Sequence, residues 1–113
     1  MDLKLPKVVS DLLTAQKNYD SDAYADCFSE TALVIDEGNE YKGKKAIKDW
    51  IEDANQQFKT TMEPTKYSET NSTAILTAVI SGNFAGSPIA LDYHMETKDN
   101  KITRLEITLG SAE

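Results

Sequence analysis

Cysteine is almost missing from this chain: Cys27 is the single one among 113 residues, so no disulfide can close within the sequence. Histidine is equally scarce, with His94 alone, and Arg104 is the lone arginine. One histidine and one cysteine far apart, without clustered acids, do not make the ligand set of a zinc site, and neither a metal nor any other cofactor is expected. Positive charge is also in deficit, since 12 lysines and arginines face 19 acids for a net charge of −7. Nucleic-acid phosphates and anionic membranes need a basic footprint, so neither partner is expected. No apolar run approaches the roughly 20 residues that cross a bilayer. The opening MDLKLPKVVSDL also lacks the apolar core of a secretory leader. A lone thiol without a leader fits a reducing, cytoplasmic setting.

What is present reads as a globular chain. Hydrophobic residues make up 40% and charged residues 27%, enough to build one core. No low-complexity tract or repeat divides it, and residues 1–113 fit a single domain with a radius of gyration of roughly 13 Å. Leu5, Val8, Val9, Leu12, Leu13 and Tyr19 recur near helical spacing, with Pro6 tolerable in a first turn. Asp20 or Ser21 can cap a second, short helix over residues 22–28, with Ala23, Tyr24, Cys27 and Phe28 as its apolar stripe. Residues 31–36, TALVID, predict a buried strand, and EGNEYKG after them supplies turn residues. From Lys44 to Phe58, Ile47, Trp50, Ile51, Ala54 and Phe58 fall at intervals of three and four, which predicts the longest helix.

Everything after Lys59 predicts strands. In TTMEPTKYSET, Pro64 argues for an edge position or a bulge. TAILTAVISGNF is apolar on both alternating sets, so a sheet face not covered by helices is a candidate homodimer interface. IALDYHMET and KITRLEITL form a last hairpin around KDN. A three-residue loop at residues 98–100, with Asn100 left-handed, turns Leu91, Tyr93 and Met95 toward the same side as Leu105 and Ile107. A two-residue loop would instead bring Asp92 and His94 beside those aliphatics and bury charge, so the longer loop is preferred. The fold class is therefore α+β: a curved antiparallel sheet with the long helix and two N-terminal helices packed on its concave face.

The order of these elements, with FSETALVIDEG, YKGKKAIKDWI, GNFAGSPIALDYHM and KDNKITRLEI, resembles the SnoaL-like proteins. These belong to the cone-shaped, cystatin-like superfamily of nuclear transport factor 2 and ketosteroid isomerase. The similarity runs from about Leu5 to Leu109 through short, degenerate motifs. The superfamily holds isomerases, cyclases, dehydratases, hydrolases and noncatalytic proteins, so the resemblance implies a fold more directly than an activity.

In ketosteroid isomerases a strand aspartate lies eight positions after a phenylalanine that ends the short helix, as Asp36 lies after Phe28 here. The resemblance thus makes Asp36 the matched general base. Their tyrosine proton donor falls at Leu12, which donates nothing, and their second acid falls at Asp92 only in the tighter hairpin. The aspartate, arginine, aspartate array of limonene epoxide hydrolases has no counterpart, because Arg104 sits on the last strand. Scytalone dehydratase pairs histidine with aspartate, and His94 is predicted to point outward. SnoaL-type cyclases need an acidic residue and an apolar cavity, which this sequence meets most easily.

Two readings of Asp36 stand side by side. Desolvation at the end of an apolar strand would raise its pKa and strengthen it as a base toward a bound carbon acid. Alternatively it caps the EGN turn. Glu37, its neighbour, points the other way if the strand persists. Trp50, Phe58, Tyr19, Tyr24, Tyr93 and Met95 either line a pocket between the long helix and the sheet or fill the core, and Tyr24 and Trp50 carry polar atoms that would orient a ligand. Cys27 reads as a small buried side chain, Tyr67 as an exposed edge aromatic, and YKGKK as a turn before a helix. Two functions follow. One is a cofactor-independent isomerase or cyclase-like enzyme that uses Asp36 on a small apolar carbonyl compound. The other is a noncatalytic ligand-binding or dimeric interaction domain.

Overall fold

A computed structural model of the chain describes residues 5–70 and 73–110. The first four residues of the segment read for a leader lie outside the described residues. Three helices pack on one face of a six-stranded sheet.

Helix α1 spans Lys7–Lys17, and Pro6 stands at its N-cap, where a missing N–H costs nothing. Its inward face carries Val8, Val9, Leu12 and Ala15. At Tyr19 the backbone turns left-handed, φ 53°, and Asp20 then caps α2, Ser21–Asp26, by accepting the Ala23 N–H at 3.1 Å. Strand β1, Phe28–Asp36, turns back through Glu37 (φ 53°) and Gly38 (φ 80°) into β2, Asn39–Lys42. Two consecutive left-handed residues make the tight hairpin turn whose twist suits antiparallel strands. EGNEYKG is therefore a turn followed by a short strand rather than turn alone. Helix α3 spans Lys44–Phe58, the range that the apolar spacing predicts.

The remaining strands are β3, Thr61–Thr70; β4, Thr73–Ser81; β5, Ile89–Lys98; and β6, Lys101–Leu109. Their order in the sheet is β2-β1-β6-β5-β4-β3. Four neighbouring pairs are antiparallel, while β1 and β6 run parallel, so the sheet departs from the all-antiparallel expectation at that one junction. Pro64 satisfies both of its predicted options: β3 is an edge strand, and its register with β4 shifts between Pro64 and Lys66.

The last hairpin corrects the expected loop. Its turn has two residues, Asp99 and Asn100, both left-handed, between the paired Lys98 and Lys101. A bulge further along restores the inward set: Thr97 pairs with Ile102 but Glu96 with Arg104, leaving Thr103 as an extra residue whose hydroxyl donates to the Glu96 carbonyl at 3.1 Å. Beyond it Met95 faces Leu105 and Tyr93 faces Ile107. Tyr93, Met95 and Leu105 are buried in the core, as the preferred register requires. Asp92 accepts a hydrogen bond from the Thr77 hydroxyl at 2.6 Å and His94 shares one with Thr108 at 2.9 Å, both on the outer face.

One apolar cluster joins helices and sheet, with Leu12, Phe28, Val34, Ile47, Leu76 and Leu105 fully buried in it. The Cα radius of gyration is 13.0 Å. On the opposite sheet face Leu33, Ile35, Ile75 and Val79 remain half-exposed.

Candidate functional site

Toward one end of the sheet the core gives way to a cavity of about 1210 Å³ that opens to solvent. Asp36 reaches it because side chains alternate along β1: Ala32 and Val34 point into the core, and the next residue on that face is Asp36. The carboxylate is half-buried and its pKa is raised. Burial is the main cause, the adjacent Glu37 carboxylate adds to it, and hydrogen bonding from the Trp50 indole pulls back against both. Asp36 is thus held with its charged form disfavoured, beside a donor that favours it.

Aromatic side chains frame this acid. Trp50, on the sheet-facing side of α3, stacks on Tyr41 with ring centroids 5.6 Å apart and 27° between planes. Its edge meets Tyr24 at 6.2 Å. Tyr41 comes from β2, where it pairs with Val34 and so shares the Asp36 face of the sheet. Phe58, at the end of α3, packs edge-on to Phe84 at 6.1 Å and 88°, and both line the cavity.

Two phenols lie close to the carboxylate. Tyr93, on β5, lines the cavity although only 6% exposed. Its pKa is driven well up by burial and then by the negative Asp36, so the hydroxyl keeps its proton. Tyr24, 2% exposed, stands behind the cavity wall, and its pKa is raised by burial and then by Tyr93, Cys27 and Asp36.

Of the residues singled out from sequence, Asp36, Trp50, Phe58 and Tyr93 line the cavity and Tyr24 backs it. Two do not belong to it. Met95 is completely buried between β4 and β6 partners, where the core is filled. Tyr19 is 44% exposed, because the left-handed turn after α1 throws its ring outward. Tyr41 and Phe84 were not anticipated; reading Glu37 and Gly38 as a two-residue hairpin turn would have paired Tyr41 with Val34 and found the first. Leu12 is fully buried in the apolar core. The Cys27 thiol is pushed up to about 11, chiefly by burial, which leaves it protonated and a poor nucleophile. Among the described residues no group of three or more His, Cys, Asp or Glu side chains is placed to hold a metal, and no helix is long and apolar enough to cross a membrane.

Next to the cavity, the buried Gln16 amide of α1 donates to Asn55 Oδ1 of α3 and to the Thr60 hydroxyl, each at 2.9 Å. Its own Oε1 is buried without a partner. This polar link fixes α1 against α3 at the cavity floor, since Thr60 is a lining residue.

A helix-backed curved sheet, packed at one end and hollow at the other with the half-buried Asp36 carboxylate in an aromatic wall, defines a cone-shaped pocket domain. The chain belongs to the SnoaL-like domain family, whose model matches residues 9–105. A proposed polyketide cyclase from Sinorhizobium meliloti is 36% identical over 92% of this chain and 95% of its own, with a TM-score of 0.89. A ketosteroid isomerase-like protein from Catenulispora acidiphila, solved with trimethylamine, shares the fold at 18% identity and TM-score 0.85, covering 95% of this chain and 88% of its own. So does SalBIII, an epoxide hydrolase/cyclase-like enzyme of pyran ring formation in salinomycin, at 18% identity and TM-score 0.79, covering 92% and 88%. No curated protein matches the chain in sequence.

Proposed function

We propose that this protein is a cofactor-independent isomerase or cyclase-like enzyme in which Asp36 acts as acid and base on a small, apolar carbonyl compound. The observation that carries the reading is the half-buried Asp36 carboxyl, with its raised pKa, in the wall of an aromatic cavity. A carboxylate held away from water is a better base than a hydrated one. In its ionised form Asp36 would take a proton from the carbon next to the substrate carbonyl, leaving an enolate. The protonated Asp36 would then return that proton, either to a different carbon, which isomerises the compound, or to an oxygen formed when the enolate carbon attacks a second carbonyl and closes a ring. Atoms and charge balance without a cofactor in both outcomes. The proposed polyketide cyclase and the cyclase-like enzyme of pyran ring formation support this reading, because both are associated with ring closure.

The test is exchange of α-protons in deuterium oxide, followed by NMR with acetonaphthone as probe. The expected outcome is exchange faster than in buffer, rising with pH as Asp36 ionises, and a loss of about 10²–10⁴-fold in Asp36→Asn. Binding of the ketone without any exchange would instead support the second reading, a noncatalytic binding domain, which the apolar Leu12 at the matched tyrosine position favours. A second copy of the chain over the outer sheet face, where Leu33, Ile35, Ile75 and Val79 are half-exposed, belongs to the same proposal. Sedimentation as a monomer at micromolar concentration would remove it.

A further inference from the structure

The wall and the rim of the cavity select for two properties of a ligand at once. Trp50 and Tyr41, stacked with centroids 5.6 Å apart, both line it and are both half-buried, so ring surface stays open to whatever enters. Phe58 and Phe84 add a second aromatic pair to the same lining. Around these rings stand Asp36, Glu37, Asp49 and Asp53, while no lysine, arginine or histidine lines the cavity. Helical spacing puts Asp49, Trp50 and Asp53 on one side of α3, and the end of β1 with its turn brings Asp36 and Glu37 to meet them.

The protein itself does little to neutralise these carboxylates. Asp49 has an exposed partner in Lys45 at 3.2 Å, a pair that contributes little in water. Asp53 accepts from the neutral Gln57 amide at 3.2 Å, and Asp36 from the Trp50 indole. Among the described residues Asp36, Glu37 and Asp53 form no ion pair. Like charges gathered around one opening repel each other and attract a cation. A metal ion is the wrong cation, because it needs oxygen ligands converging on a point, and among the described residues no group of three acids is so placed. An alkylammonium ion suits both features. The carboxylates answer its charge, and its weakly hydrated alkyl groups lie against tryptophan and tyrosine faces, which attract cations through the ring quadrupole.

We propose that the mouth of the cavity binds an organic alkylammonium group, held against Trp50 and Tyr41 within the field of Asp36, Glu37, Asp49 and Asp53. The inference goes beyond the acid and base chemistry of Asp36 and holds whether or not a proton moves there. The two are compatible, since a ligand with its ammonium group at the rim leaves the interior free for an apolar carbonyl portion.

The probes are phenyltrimethylammonium, its uncharged isostere tert-butylbenzene and the anion benzenesulfonate, titrated against the whole chain by ligand-detected NMR. Wild type should bind the cation roughly 3–30-fold more tightly than the hydrocarbon and should not bind the anion. Tyr41→Leu keeps an apolar side chain but removes the ring face, so cation affinity should fall roughly 2–5-fold with a smaller change for the hydrocarbon. The double variant Glu37→Gln, Asp53→Asn should also weaken the cation and flatten the salt dependence of its binding. Hydrocarbon bound by wild type as tightly as the cation would overturn the inference without any variant having to fold. Equal losses for both probes in Tyr41→Leu would overturn it too, as would cation binding that the double variant leaves unchanged. Proton exchange at Asp36 is decided separately, by the Asp36→Asn comparison.

Discussion

The two ends of the same sheet face are built from similar side chains and come to opposite results. At one end Phe28, Ile102, Leu105 and Met95 are completely buried in the core they share with Val8, Val9 and Leu12 of α1 and Tyr24 of α2. Following each strand toward the other end, the cover thins: along β1 from Phe28 through Val34 to the half-buried Asp36, and along β6 from Ile102 through Ile107 to Leu109, 73% exposed. What differs is the plug, not the wall. Val8, Val9 and Leu12 of α1 and Tyr24 of α2 join the core at the packed end, and over the cavity α3 alone of the helices supplies lining residues, from Ala46 to Phe58. The packed core and the open cavity are thereby separated along a single sheet.

The largest expected effect tests that separation directly. Phe28→Ala at the packed end should cost about 3–5 kcal/mol in urea denaturation, because the ring is fully enclosed and its loss leaves a void. A loss below 1 kcal/mol, on the scale of surface substitutions, would mean that the packed end is not where stability resides. The smaller effect has the opposite sign. Asp36→Asn should stabilise the fold by roughly 0.5–2 kcal/mol at neutral pH, since burial disfavours the charged carboxylate and an amide carries no charge. The linkage fixes how this depends on pH. Because the folded-state pKa of Asp36 is raised, the folded protein holds its proton more tightly than the unfolded chain. Its contribution is therefore fully favourable below the ordinary carboxylate range and is lost as pH rises through the raised pKa. Wild type and Asp36→Asn should converge in strongly acidic buffer and diverge toward neutrality; parallel stability curves would contradict the burial of this carboxyl.

The sequence was most legible where periodicity is local. Ile47, Trp50, Ile51, Ala54 and Phe58 mark α3 from first to last residue, and the Asp20 cap marks the start of α2. It was least legible where pairing is remote. Nothing near β1 announces that it runs parallel to β6, about seventy residues on, and β2 hides in a segment dense with turn residues because its side chains are mostly exposed. The site shows the same division. Asp36, Trp50, Phe58 and Tyr93 could be named from strand alternation and helix spacing, yet those rules place Met95 beside Tyr93 with equal force. Which of the two meets a cavity and which meets a filled core depends on how far α1 and α2 extend across the sheet, a property of the assembled layers rather than of any short segment. Tyr19 was misplaced for a local reason, since helical spacing carried one residue too far ignores the left-handed turn that ends α1.

Thr103 has a reach out of proportion to its size. With it, β5 turns a phenol, a thioether and a leucine to the concave face; a strand one residue shorter would have to present either an acid and an imidazole to the interior or its own aliphatic residues to water. A single inserted position thus works as a frame-setting device, letting one strand encode two alternative linings and leaving its neighbour to select between them.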